Sequence, residues 1–204
     1  MRDSKLLAVT MLAADLREAQ LAGCSFERAT LIKSKLSGQV LRGQSFLHTQ
    51  LTESELDGCD FTKADLRQVN FKGAKLGGAR LHEALAPNAL FVEADLRGAD
   101  LRGAKLPQSI FVDALLDAAN CSETDMNSCI LHRASCRQTL FVRSDLTYAD
   151  FSHANLEAAD LSGATLFRAN LHQIVDSGAR FSDRARALAT DPELAAAENW
   201  QPPF

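Results

Sequence analysis

The chain has 204 residues, 46% of them hydrophobic and 24% charged, and a net charge of −4. That length suits one or two domains. The mild charge lacks the basic patch that direct nucleic-acid binding needs, and no apolar run reaches the roughly 20 residues of a membrane span. Met1 to Thr10 shows no charged-then-apolar signal pattern. Five cysteines, an odd number, favour reduced thiols. The expectation is a cytoplasmic protein with no membrane contact.

From Ser4 the chain repeats every five residues. Between Leu6 and Leu171 every fifth position is Leu, Phe or Met in 31 of 34 cases, the exceptions being Ala86, Cys121 and Cys136. Two residues earlier runs a second series, from Ser4 to Ala169. It is Ala, Ser, Thr, Cys or Val everywhere except Gln39 and Gln44. A step of five turns an α-helix roughly 140° past a full turn, which would scatter the large residues around its axis. A spacing of two instead puts both side chains on one side of an extended backbone. Each unit is therefore a short extended piece and a corner, with one large and one small side chain inward. Nine of the eleven glycines lie two residues after a large residue, and Gly178 keeps the same register after Asp176; a corner there favours unusual backbone angles. Asp or Asn often precedes the large residue, as at Asp65, Asp95 and Asp100, and can bond nearby backbone. Gln39 and Gln44 are inward in consecutive units, and their amides are expected to bond backbone.

The segments ADLRGADLRGAK (94–105) and ADFSHANLEAADLSGATL (149–166) resemble the pentapeptide-repeat family, and the likeness extends from Ser4 to about Gln173. That resemblance implies an all-β solenoid, a right-handed quadrilateral β-helix of about 8–9 coils with 20 residues per turn. Burying one Leu contributes about 1.5–3 kcal/mol, whereas ordering five residues costs on the order of 7 kcal/mol. One unit cannot stand alone and needs the coils above and below.

A 20-residue coil stacks residues 20 apart on one face. Leu90, Ile110 and Ile130 are so spaced, each where Asp or Asn is usual. Val92 and Val112 flank them, and Pro87 and Pro107 lie on the adjoining face. Leu85, Leu115 and Leu140 extend this apolar set. A contiguous apolar stack points to a protein interface.

After Leu171 the pattern weakens. The expected division is a solenoid over 1–181 and a helical tail over 182–204. In that tail, 182–189 reads as a short helix, and 190–200 as a second with Asp191 as cap and Pro192 as first residue. Leu194, Trp200 and Phe204 then either cover the last coil or pair two copies of the chain into a homodimer.

Little suggests chemistry. His48, His82, His132, His153 and His172 all fall on outward positions, with no two at the close spacing a metal needs. Cys129, His132 and Cys136 resemble a metal cluster in spacing alone, since the cysteines point in and His132 points out. No phosphate loop or nucleophile elbow is present. The expectation is therefore no catalytic residue, no cofactor and no metal. The chain reads as a non-enzymatic scaffold for a protein partner, which the resemblance connects with accessories of bacterial secretion machinery. The resemblance also offers an alternative, a DNA-mimicking protein that binds DNA gyrase and protects it from quinolones.

Overall fold

The computed structural model describes residues 4–200; Phe204 lies outside them. The chain is held by isolated parallel bridges, each joining a residue to the one 20 positions on: Lys5 to Ser25, Thr10 to Thr30, and so on through Asn155 to Val175. Rungs recur every five residues, so each turn has four sides. We number the sides one to four from the rungs at Lys5, Thr10, Asp15 and Val40. Strands longer than a single rung are confined, among the described residues, to β1 (Asp160–Leu161) and β2 (Arg180–Phe181), which pair parallel in the same register. The fold is a β-solenoid whose strands are cut to one rung by the corner that follows.

Backbone hydrogen bonding explains why five residues suffice. In the unit 94–98, the Asp95 N–H reaches back to Ala74 O at 2.9 Å. The N–H groups of Leu96 and Gly98 reach forward to Leu115 O at 2.7 Å and Asp117 O at 3.0 Å. The Ala94 N–H closes the preceding corner on Phe91 O at 3.1 Å. The fifth donor, the Arg97 N–H, is taken by Asp95 Oδ1 at 3.2 Å. Every N–H of the unit has an acceptor, as a densely stacked backbone requires.

At 34 corners the third turn residue has positive φ, which matches the type II class. Glycine fills ten of these positions, but 24 are other residues, including Glu93 and Ala118, both at φ 57°. Each non-glycine there costs about 1–2 kcal/mol, which the ladder bonds offset. Among the described corners from Ala8 to Gly178, only Glu18 departs from this conformation. There the Gln39 Nε2 lies 2.8, 2.8 and 2.9 Å from the carbonyl oxygens of Leu16, Arg17 and Ala19, which share its two hydrogens. Gln39 thus bonds backbone as expected. Gln44 meets the expectation less well, because its buried Oε1 has no partner.

The interior is one continuous core from Leu16 to Leu171. Phe71, Phe91 and Phe111 stack at centroid spacings of 5.0 and 4.7 Å, close to the rise between strands. The small inward position accepts Ser, Thr and Cys because each can bond the corner carbonyl 23 residues back. Ser54 Oγ donates to Leu31 O at 2.7 Å, Ser109 Oγ to Ala86 O at 2.7 Å, and Cys129 Sγ to Leu106 O at 3.0 Å.

The ends differ. Leu6 and Met11 of the first coil are only half-buried. At the other end the expected helix over 182–189 is a single 3₁₀ turn, Arg184–Arg186. The chain then extends again, and Leu188 bridges Asn170. This last rung has a register of 18, so no five-residue signal marks it. The second tail helix is present as α1, Pro192–Glu198, capped by Asp191, whose side chain accepts from the N–H groups of Glu193 and Leu194. None of its residues is buried, and Trp200 keeps 69% of its surface exposed, so it does not close the end of the core.

Candidate functional site: an apolar ladder and a histidine column on one side of the rod

Five-residue periodicity fixes which outward residues share a side. Leu90 bridges Ile110, and Ile110 bridges Ile130, so these three form consecutive rungs of the second side, in front of the Phe71, Phe91 and Phe111 stack. Val92 and Val112 follow them at the closing turn, and Pro87 and Pro107 stand at the turn that opens this side. All seven are partly exposed, Ile130 to 38%. The ladder is bounded by polar rungs, Asn70 before Leu90 and Asp150 after Ile130.

Leu85, Leu115 and Leu140 do not extend this surface. Leu85 is on the first side between Asp65 and Lys105, Leu115 on the third between Asp95 and Ser135, and Leu140 on the fourth between Asn120 and Asp160. Sharing the position before a large residue is not enough, because only a spacing of 20 returns to the same side.

The apolar rungs give up a local bond. Asn70 Oδ1 accepts the Lys72 N–H at 2.9 Å, and Asp150 Oδ1 accepts the Ser152 N–H at 2.9 Å. Leu90, Ile110 and Ile130 have no such acceptor for Val92, Val112 and His132. Exposed aliphatic side chains here therefore replace a stabilising contact without filling the core.

Further along the same side is a cluster that the sequence reading missed. His132, His153 and His172 stack edge to face, with centroids 5.3 and 5.4 Å apart. His153 follows His132 by 21 residues and precedes His172 by 19, so the three occupy neighbouring turn positions in successive coils. A search at multiples of 20 passes over them. The expectation that no two histidines come close is therefore incorrect. His132 Nδ1 lies 2.8 Å from Ser152 Oγ, and its Nε2 lies 2.9 Å from Arg133 Nη1. His172 is buried, with Nδ1 accepting the Asp191 N–H at 3.2 Å and Nε2 3.0 Å from Glu198 Oε2. His153 Nε2 is 3.4 Å from Glu198 Oε1. The Gln173 amide also donates to Glu198 Oε2 at 2.6 Å. The bond to His172 is the main influence holding the Glu198 carboxyl below the usual glutamate range.

The five cysteines are buried. Burial pushes the thiols of Cys59 and Cys129 up to about 12 and raises those of Cys121 and Cys136 as well, which disfavours the reactive thiolate. Leu194 is 48% and Trp200 69% exposed, so the tail presents apolar surface outward.

The acidic positions are extensively paired. Arg67, Arg97 and Arg102 each grip the aspartate two residues earlier with two side-chain bonds, the longer being 2.8 Å in every case. These bonds lower the pKa values of Asp65, Asp95 and Asp100.

Pentapeptide repeats in eight copies match residues 13–43, 45–82, 74–111, 94–133, 109–147 and 134–173. No curated protein sequence matches the chain. Solved structures are similar to it. HetL, a pentapeptide repeat protein involved in heterocyst differentiation regulation from the cyanobacterium Nostoc sp. strain PCC 7120, is 25% identical with a TM-score of 0.44, over 93% of this chain and 88% of HetL. Full-length QnrB1, a plasmid-mediated fluoroquinolone resistance protein, is 16% identical with a TM-score of 0.34, over 95% of this chain and 97% of QnrB1. Rfr23, a pentapeptide repeat protein from the cyanobacterium Cyanothece 51142, is 19% identical with a TM-score of 0.32, over 79% of this chain and 91% of Rfr23.

Proposed function

This chain belongs to the pentapeptide-repeat family, and from that premise we propose that it is a rigid, non-enzymatic rod on which a protein partner docks. In this reading the rod is a right-handed quadrilateral helix of about 8–9 coils, from 34 units at four per turn, and it works in the cytoplasm. The docking surface is the second side, centred on Leu90, Ile110 and Ile130 and flanked by Val92, Val112, Pro87 and Pro107.

The ladder itself supports this most. Three consecutive aliphatic rungs stand on a side whose other rungs are polar, from Thr10, Thr30, Gln50 and Asn70 to Asp150 and Asn170, and each lacks the backbone contact that Asn70, Asp150 and Asn170 make. A rigid face needs little ordering on association, which favours binding. Burying such side chains contributes about 1.5–3 kcal/mol apiece.

Two settings follow from family likeness, an accessory role beside bacterial secretion machinery and gyrase protection by DNA mimicry. The paired Asp65, Asp95 and Asp100 favour an interaction scaffold over a mimic, because mimicry needs sustained unpaired negative charge.

Ile110→Asp tests the reading. The substitution is outward, so the variant is expected to fold. It should lose a partner that the unaltered chain retains in a pull-down, or lower the mass of any self-assembled species in solution. Unchanged capture together with unchanged mass would exclude this surface. A gyrase supercoiling assay with added protein separates the two settings, since only the mimic inhibits it or relieves quinolone inhibition.

A further inference from the structure

We propose that His153, His172 and Glu198 form a binding site for one divalent transition-metal ion of the zinc class, and that this ion fastens the C-terminal helix to the rod. One ligand atom from each of the three lies within 4.8 Å of the others. A tetrahedral ion with bonds of about 2.0–2.1 Å places its ligand atoms about 3.4 Å apart. The separations of 3.0 Å from His172 Nε2 and 3.4 Å from His153 Nε2 to the two Glu198 oxygens already approach that spacing. Two imidazoles and a carboxylate are donors that suit zinc, nickel or copper and suit calcium or magnesium poorly.

The surroundings constrain the site. His172 is almost fully buried and His153 is wedged edge-on between the rings of His132 and His172, so both rings are oriented before any ion arrives. His132 is not a fourth ligand, because Ser152 and Arg133 occupy its two nitrogens. A solvent molecule completes the coordination.

Without an ion, His172 Nδ1 accepts the Asp191 N–H, so Nε2 carries the ring proton and points it at Glu198. An ion at Nε2 requires that proton to move to Nδ1, which exchanges the Asp191 N–H bond for metal coordination. Asp191 caps α1, so coordination is felt at the start of the helix as well as at Glu198 near its end.

The ion would reinforce an attachment made largely of hydrogen bonds. α1 buries none of its residues, and its links to the rod run through Glu198, Asp191 and the neighbouring Thr190. A metal bond from Glu198 to histidines of two successive coils would join the helix to both.

The test uses the full chain, stripped with a chelator, then titrated with Zn2+ by calorimetry and with Co2+ by visible absorption. One equivalent should bind, with the intense d–d bands of tetrahedral cobalt. Glu198→Gln and His153→Gln should each weaken binding by more than about 100-fold, beyond the 10–100-fold typical of losing an outer-shell partner. Both side chains are about one-third exposed, at 34% and 31%, so the variants should fold. His48→Gln, at a different corner of the rod, should leave binding unchanged. Saturation with Zn2+ should also slow hydrogen exchange across 192–199. Absence of saturable binding, or binding indifferent to both site variants, would refute the site. Tight binding with unaltered exchange in the helix would refute the fastening.

Discussion

The rod and its tail are held by opposite means. In the rod a unit such as 94–98 repeats the same bonds, with three N–H groups joined to neighbouring coils, one closing a corner and one held by Asp95. Its large side chain is buried by the coils on either side. The tail helix buries nothing and depends on a few polar contacts around His172 and Glu198. The rod derives its stability from neighbours that complete one another, as in other solenoids. The helix is attached by a few polar contacts at its two ends, so its release should cost the core little.

The sharpest way to break this contrast is inside the rod. Phe91→Ala removes a ring stacked 5.0 Å from Phe71 and 4.7 Å from Phe111, and should lower unfolding stability by about 3–5 kcal/mol in urea titration. A loss below about 1 kcal/mol would mean the coils do not share one core. An opposite change is expected at a corner. Ala118 holds φ 57° and is exposed, so Ala118→Gly should stabilise by up to about 1 kcal/mol, glycine's entropy offsetting part of the relief.

Acid should act next, and mainly on the rod. Asp65, Asp95 and Asp100 have folded pKa values below their unfolded ones, because arginine bonds favour the carboxylate. Their stabilisation is complete above the unfolded aspartate range, near 4, and is lost as pH falls through the lower folded values. Unfolding midpoints followed from pH 5 downward should decline over that window. Asp95→Asn should flatten the decline slightly, as suits a partly exposed pair. The smallest global effect belongs to the tail. Glu198→Gln should shift rod stability by less than about 0.5 kcal/mol while speeding exchange across 192–199.

How much was legible follows from the same contrast. Leu96 and Leu101 declare themselves as core, because inward positions recur at a fixed interval and local spacing decides their direction. The glycine corners declare themselves too, but Glu93 and Ala118 adopt the same backbone with nothing in their identity to show it. The ladder of Leu90, Ile110 and Ile130 was readable once a 20-residue coil was assumed. His132, His153 and His172 were not, since steps of 21 and 19 connect different positions within the unit. Leu188 was missed because it returns to the ladder by a shortened register after the 3₁₀ turn, and helix propensity in 182–189 gives no hint of that long-range pairing.

The regular rise of the Phe column also sets a limit on what can lie along the rod. Successive rungs advance by about 4.8 Å, whereas an α-helix advances 5.4 Å per turn. A helix laid lengthwise on the second side would drift by about 0.6 Å at each turn and be half a rung out of step after about four turns. The rod therefore acts as a vernier for such a ligand, matching a short helix well and a long one only in part.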